Sequence, residues 1–361
     1  MKTNSKRSAN IELLRIIAML MVVMLHYLGK GDLLPTIRTD MGANAFTAWI
    51  LESLSIVAVN VYVLISGYFL VESQFKPGKI AKLVLQVLFY TILITILALG
   101  FGIIGKEDLG IYNLIVQLFP FQLEQYWFMT SYLVLYILSP VLALGIKAMP
   151  KKHLQIVTVI FLVFMCVEKS ILPVQIVFDK RGYDALWFIC LFFIAAYIRL
   201  YGIKILEKKW VCALLYLGGC MMALAESLVL YVVYNKTGEL EHLFGTPYHY
   251  NHIFVFLASV GLFAFFLQVK VKDGWLSGLI CRIAPYTLGV YLLHEQVYVR
   301  YLWPKWLGAG KAENPVMLVV SALGAVLAVF ALGILVDYLR SLIFKAGSRL
   351  IHGKKTGDSI G

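Results

Sequence analysis

The sequence has little charge for its length and an excess of apolar residues. Only 14% of its 361 residues are charged and 61% are apolar, whereas soluble domains contain about 25% charged and about 45 to 50% apolar residues. The mean hydropathy is +0.82. This composition excludes an ordinary soluble domain. Apolar runs of about 20 residues recur along the whole chain and indicate a polytopic membrane protein.

The motifs of several common soluble enzymes are absent. There is no GxSxG elbow, no P-loop and no Rossmann glycine fingerprint between a strand and a helix. The five cysteines lie in or beside apolar segments without CxxC spacing, so no disulfide framework is predicted. His249 and His252 have HxxH spacing, but no acidic or cysteine ligand completes a recognisable set. We therefore expect surface or interface histidines there, and no metal.

Acidic residues are scarce as well, and this gives a formal net charge of +12. The basic residues stand in short clusters between apolar segments, which is the pattern of orientation signals rather than of a nucleic-acid surface. Alternate connections are basic, beginning with the N-terminus, so the positive-inside rule places both termini in the cytoplasm. We expect membrane lipids, and no nucleic acid, as partners.

The apolar segments predict an all-α bundle of about ten transmembrane helices in the plasma membrane. Residues 1–340 are expected to form a single transmembrane domain, and residues 341–361 a basic cytoplasmic tail. The predicted spans are 11–29, 45–70, 83–104, 126–146, 154–172, 185–203, 210–234, 250–269, 285–303 and 316–339.

The first of these segments carries polar side chains that a membrane helix rarely has. Arg15 and His26 are eleven positions apart, so on a helix they fall within about 20° of one face and about 16 Å apart along it. Glu12 is placed to pair with Arg15 at i, i+3. Because intramembrane polar groups usually face a cavity or the protein interior, this stripe is the strongest sequence indication of a functional site.

Two further groups of residues are candidates for ligand contacts. Ser66 to Phe69, with a glycine that permits close backbone approach or a tight bend, precedes Lys76 and Lys79, which either meet phosphates or only determine topology. Tyr291 and His294 lie one turn apart beside Glu295, where they either line a cavity or form interhelical hydrogen bonds. Glu52 and Asn60 are candidate supporting residues.

These residues resemble the acyltransferase-3 family of bacterial membrane O-acyltransferases along essentially the whole chain. The R-x10-H pair of the first helix is the most specific feature, and the other motifs corroborate it. The matching elements are Arg15 and His26, the SGYF element Ser66 to Phe69, Tyr126 to Phe128, the YILSP element Tyr136 to Pro140, and Tyr286 to His294 (YTLGVYLLH).

The resemblance implies a ten-helix bundle that moves an acyl group, commonly acetyl, from cytoplasmic acyl-CoA to a sugar hydroxyl of an exported glycan or similar acceptor. Acyl-CoA is then the donor substrate, and no bound cofactor is expected. The family counterparts of Arg15 and His26 are functionally required. The family often has an RxxR motif after the second helix, where this chain has Lys76 and Lys79, which keep the charge but lose the bidentate fork.

Specific roles follow from combining the resemblance with the helix geometry. Arg15, with Lys76 and Lys79, is expected to meet the CoA phosphates. His26 is expected to act as general base toward the acceptor hydroxyl or to take the acyl group itself. The remaining substrate-binding candidates, with acceptor positioning or oxyanion stabilisation assigned to the last two, are Ser66, Tyr68, Tyr291 and His294.

Two other classes of protein fit the same pattern. In a transporter or flippase of a small solute or lipid-linked sugar, the buried charges line a translocation path. In a non-catalytic sensor or partner protein, they serve structure alone. Family members also occur fused to an extracytoplasmic SGNH-type domain, for which the tail here is too short, so the chain is expected to act alone or with a separate extracytoplasmic partner.

Overall fold

A computed structural model describes residues 8–172 and 179–354 of the chain, with side chains up to residue 349. Within these ranges the fold is all-α. Nine helical segments are long and apolar enough to cross a membrane, and a tenth apolar helix, Ala185–Tyr201, is shorter. The helices are α1 (Ala9–Lys30), α2 (Ala43–Ser55), α3 (Ala58–Leu70), α4 (Pro77–Gly100), α5 (Ile111–Leu118), α6 (Trp127–Ala148), α7 (Lys151–Leu162), α8 (Glu168–Ile171), α9 (Ala185–Tyr201), α10 (Lys209–Thr237), α11 (Ile253–Leu267), α12 (Trp275–Ile283), α13 (Thr287–His294), α14 (Trp303–Trp306) and α15 (Pro315–Lys354).

Helix α1 lies at the centre of the bundle. It contacts α2, α3, α12, α13 and α15, and side chains such as Leu14, Ala18, Val23 and Leu28 are fully buried. In a bilayer such packing is driven by van der Waals contact and interhelical hydrogen bonds rather than by the hydrophobic effect. A central helix can therefore bring polar side chains to an interior cavity while its other faces hold the bundle together.

The predicted positions of most spans agree with the structure, but one differs in substance. The predicted span 45–70 is found as a single candidate membrane span, Ala43–Leu70, with a turn at residues 56 and 57 between α2 and α3. The predicted span 285–303 is wrong at both ends, since the helical segment runs from Trp275 to His294. Pro285 stands at a one-turn 3₁₀ segment inside that span, so the proline marks a local tightening rather than the start of a helix.

The last helix also extends beyond its predicted end at residue 339. Helix α15 continues through Arg340 to Lys354 without a break, and its 40 residues give a length of about 60 Å. A bilayer core is about 30 Å thick, so part of α15 extends outside the membrane. Residues 355–361 of the predicted tail lie outside the described residues.

Two close contacts hold neighbouring helices of the bundle together. At Gly67 in α3, an added Cβ would lie only 3.0 Å from that of Ala195 in α9. Of the two uses expected of this glycine, close approach is the one that the structure shows. Asp337 in α15 is fully buried and accepts hydrogen bonds from Gln86 at 2.9 Å and Tyr90 at 3.1 Å. These bonds fasten α4 to α15.

Candidate active site

The central cavity is an interior space of about 360 Å³ between α1, α3, α6 and α13. Arg15 and His26 both line it, as the helical spacing predicts for two residues on one face. Ser66 and Tyr291 contribute from α3 and α13. The cavity therefore extends along α1 with a cation toward one end and an imidazole toward the other, about 16 Å apart.

The imidazole end contains two histidines in direct contact. His26 Nδ1 lies 2.8 Å from His294 Nε2, and His294 Nδ1 lies 2.6 Å from the backbone carbonyl of Val290. His294 is 3% exposed and stands behind His26, not on the wall of the central cavity. The predicted direct contact between His294 and the substrate is therefore not seen. His294 contacts His26 instead.

The hydrogen bonds determine where the protons of this pair lie. A carbonyl oxygen only accepts, so His294 Nδ1 carries a proton and donates it to Val290. In neutral His294 the other nitrogen, Nε2, is then an acceptor, and His26 Nδ1 must donate to it. His26 Nε2 is left with a free lone pair, and it has no hydrogen-bond partner among the residues that the structure describes. This is the arrangement of an oriented general base.

Glu295 supports the same tautomer. Its carboxylate lies 3.3 Å from His26 Nδ1, where a negative charge favours a proton on that nitrogen. The carboxylate also contacts Lys30 and lies 3.8 Å from Arg300. Two cations thus surround one buried carboxylate, and its role beside His26 is to orient the imidazole ring.

His26, His294 and Glu295 also have the composition of a metal site, since one potential ligand atom of each lies within 4.8 Å of the others. Three contacts disfavour a cation there. Lys30 already contacts the carboxylate, Arg300 adds a second positive charge, and the facing histidine nitrogens share a hydrogen bond at 2.8 Å. The arrangement fits a proton network better than a metal.

Tyr291 faces the same end of the cavity. Its ring centroid lies 6.3 Å from that of His26, the side chain is buried, and its hydroxyl donates to no acceptor among the described residues. A buried hydroxyl without an acceptor is unfavourable unless a ligand supplies one. Tyr291 is therefore a candidate donor to a developing oxyanion.

The cation end of the cavity is held differently. Arg15 forms an ion pair with Glu12 at 2.8 Å, as predicted from their i, i+3 spacing, and Tyr62 donates to the Arg15 carbonyl at 2.7 Å. Lys79 is exposed, one turn before Leu83 of the cavity wall, and interacts electrostatically with Arg15 and Lys76. This end is a positively charged mouth.

Not every predicted site residue lies in the central cavity. Tyr68 points toward α9, where its ring lies 4.8 Å from the Arg199 guanidinium and its hydroxyl accepts a hydrogen bond at 3.2 Å. Lys76 is exposed, and its carbonyl accepts from Tyr136 at 3.2 Å. Ser66 lines the cavity, although its hydroxyl is used within α3, on the Tyr62 carbonyl.

The two candidate supporting residues, Asn60 and Glu52, also differ in whether they contact the cavity wall. Asn60 is fully buried and donates to the Tyr250 carbonyl at 2.7 Å, and Tyr250 lines the cavity. Glu52 is buried without lining it. His252, expected at a surface or interface, is buried and lies 3.4 Å from Glu226. That expectation fails because the chain enters α11 directly at His252, inside the bundle.

Sequence reasoning missed three residues of the site: Lys30, Arg300 and Tyr62. Lys30 stands one helical turn after His26, so the i, i+4 rule could have placed it beside the imidazole. Tyr62 precedes Ser66 by the same interval. Arg300 lies in an irregular segment after α13, where no periodic signal exists.

The fold defines a multi-pass membrane protein with a candidate site inside the helical bundle. A family model described as an acyltransferase domain matches residues 8–336, which is nearly the whole chain. The protein therefore belongs to the acyltransferase-3 family and is a membrane acyltransferase. No curated protein matches the chain, and no solved structure matches it.

Proposed function

We propose that the protein transfers an acyl group, acetyl in the simplest case, from cytoplasmic acyl-CoA to a hydroxyl of a cell-surface or exported glycan. The observation that supports this best is the His26–His294 pair, which leaves His26 Nε2 unprotonated on the wall of a cavity whose other end is cationic. A cavity of this form suits a long donor with an anionic end and a reactive thioester at the other end.

The protein lies in the plasma membrane, and the donor binds from the cytoplasmic side. The donor phosphates lie at the mouth formed by Arg15 and Lys79. Lysine and arginine at this mouth meet phosphate oxygens by charge-assisted hydrogen bonds. The pantetheine arm follows the α1 face, so that the thioester lies beside His26. Because Lys79 lacks the bidentate fork of an arginine, Arg15 is the main phosphate contact.

The chemical step is a direct acyl transfer. His26 Nε2 takes the proton of the acceptor hydroxyl while the hydroxyl oxygen attacks the thioester carbonyl carbon. Tyr291 donates to the oxyanion that forms. The intermediate then collapses, the carbon–sulfur bond breaks, and the proton held by His26 passes to the departing thiolate, which gives an ester and free CoA thiol. His294 and Glu295 hold His26 in the required tautomer throughout.

The test is turnover of acetyl-CoA, labelled in its acetyl group, by inverted membrane vesicles that contain the protein and their own hydroxyl acceptors. We expect release of free thiol together with transfer of label. His26→Ala should lower both by about 10² to 10⁴. His252→Ala removes another buried histidine, one that does not line the cavity, and should lower neither to that extent. Full turnover by the His26 variant, or solute flux without thiol release, would contradict the proposal.

A further inference from the structure

Hydroxyl groups line one stretch of the central cavity. They belong to Tyr62 and Ser66 on α3, Tyr132 on α6 and Thr287 on α13. Tyr62 and Tyr132 both interact electrostatically with Arg15, which places this stretch on the cation side of the cavity. Around His26 the lining is mostly apolar and includes Val22, Leu25 and Phe128. The lining therefore changes from a cation, through hydroxyl groups, to an apolar wall, which is the order of phosphates, amides and methylenes in acyl-CoA.

Ring contacts fix the depth of Tyr132 in the cavity. Its ring stacks on that of Phe128 with centroids 6.0 Å apart, and the Phe128 ring lies 6.0 Å from that of Tyr291, which faces His26. Tyr132 stands one helical turn after Phe128, so its Cα lies about 6 Å nearer the cation end. In an extended acyl-CoA, a sulfur and two methylenes separate the thioester carbon from the nearest amide nitrogen, a length of about 5 Å. A thioester at His26 therefore places that amide at the depth of Tyr132.

Ser66 and Tyr132 present complementary hydrogen-bonding groups at this depth. Ser66 donates its proton to the Tyr62 carbonyl at 2.9 Å, so the lone pairs of its oxygen remain acceptors. The Tyr132 hydroxyl interacts with the Ser66 side chain, and it is free to turn its proton toward a ligand carbonyl. A secondary amide inside a protein is unfavourable unless its N–H and its C=O are both hydrogen-bonded. This acceptor and this donor satisfy both groups.

We propose that Ser66 and Tyr132 bind the pantetheine amide nearest the thioester, and that this contact holds the thioester beside His26. The proposal rests on the proposed function and adds to it two residues that select the donor. The Ser66 oxygen accepts the amide N–H, and the Tyr132 hydroxyl donates to the amide carbonyl. The methylenes between the amide and the sulfur then lie against the apolar wall at Val22 and Leu25.

Binding is tested first, without any acyl transfer, on the purified full chain in lipid nanodiscs. The ligands are acetyl-CoA and its analogue in which an ester oxygen replaces the N–H of this amide, a change that keeps the carbonyl and every phosphate. The wild type should bind acetyl-CoA about fivefold more tightly than the analogue, the effect of one hydrogen bond. His26→Ala should keep this preference, because His26 meets the thioester and not the amide.

The two contacts predict different responses to substitution. Ser66→Ala removes the acceptor, so acetyl-CoA should bind only as tightly as the analogue, whose own affinity should not change. Tyr132→Phe removes the donor to a carbonyl that both ligands share, so both should bind about fivefold more weakly, with the preference kept. Equal affinities in the wild type, a preference that survives Ser66→Ala, or unchanged binding by Tyr132→Phe would overturn the inference.

Ser139 and Tyr68 supply matched controls. Ser139 on α6 also donates to a carbonyl of its own helix, that of Tyr136 at 2.7 Å, and it does not line the central cavity. Ser139→Ala and Tyr68→Phe should keep both affinities and the preference. Loss of the preference in either control would overturn the inference, because the preference would then not come from the cavity wall.

Turnover separates this inference from the proposed function. Thiol release should show the same preference of about fivefold in kcat/KM, and Ser66→Ala should abolish it. Thiol release without any preference for acetyl-CoA over the analogue would overturn the amide contact and leave the proposed function intact. Preferential binding that depends on Ser66, without thiol release, would instead support the amide contact and contradict the proposed function.

Discussion

The two ends of the central cavity are built on opposite principles. At the imidazole end, His26 is positioned by two neighbours of its Nδ1 atom, with His294 2.8 Å away and Glu295 3.3 Å away. At the cation end, Arg15 is about one-third exposed and forms an ion pair with Glu12, and Lys79 is exposed. The imidazole end thus fixes which nitrogen of His26 carries the proton. The cation end presents positive charge to a ligand.

This difference separates the two kinds of kinetic effect expected from substitutions. Interactions made only in the transition state lower kcat when they are removed, whereas interactions that bind ground state and transition state equally raise KM. Orientation of a base belongs to the first kind, and binding of phosphates belongs to the second. The imidazole end should therefore control kcat, and the cation end should control KM for acyl-CoA.

The largest effect is expected from His294→Phe. The substitution keeps an aromatic ring beside Trp303 but removes the acceptor for His26 Nδ1, so the tautomer and ring orientation are no longer fixed. Misplacement of a reacting group by about 1 Å costs about 10² in rate. We expect kcat to fall by about that factor with KM for acetyl-CoA nearly unchanged, measured by thiol release over a range of donor concentrations.

A conservative variant distinguishes orientation from packing. His294→Gln retains an acceptor near His26 Nδ1 and should recover part of the lost kcat, because the amide oxygen can accept the Nδ1 proton in place of His294 Nε2. If both variants instead raised KM and left kcat intact, His294 would be a binding residue, and the contrast between the two ends would disappear.

An intermediate effect is expected from Arg15→Ala. A hydrogen bond to a charged group contributes about 1.5 to 3 kcal/mol, so KM for acetyl-CoA should rise about tenfold to 100-fold while kcat changes little. Because removal of Arg15 leaves the buried Glu12 carboxylate unpaired, the comparison uses the double variant Glu12→Gln/Arg15→Ala against Glu12→Gln alone. The increase should shrink at high salt, where phosphate contacts are already screened. A loss confined to kcat would contradict the phosphate role.

The sequence predicts the cation end of the cavity better than the imidazole end. The shared face of Arg15 and His26 follows from the helical period alone, since both stand on one unbroken helix, α1. The ion pair with Glu12 follows from the same geometry. The contact between His26 and His294 does not, because the two residues are 268 positions apart and no local rule relates α1 to α13.

The fold was predictable to a similar degree. Hydropathy located the membrane spans, because each must present about 20 apolar residues to lipid. It did not separate α2 from α3, since the turn at residues 56 and 57 has no proline or glycine to mark it. The SGYF motif grouped Tyr68 with Ser66, although residues two positions apart on a helix point about 200° apart, and Tyr68 therefore faces Arg199 instead of the cavity.

The smallest effects are expected from two tyrosines on α3, which sharpen the comparison at the cation end. Tyr62 lines the central cavity and donates to the Arg15 carbonyl, so Tyr62→Phe should raise KM for acetyl-CoA about fivefold through the loss of one hydrogen bond of about 1 kcal/mol. Tyr68→Phe loses a contact with Arg199 outside the cavity and should stay within about twofold of the wild type. Both changes delete a single hydroxyl from α3. A general disturbance of α3 would therefore affect both variants, and unequal KM values would report the position of the hydroxyl. If Tyr68→Phe had the larger effect, the donor phosphates would have to bind on the α9 side of α3, and Arg15 would no longer be the cation that receives them.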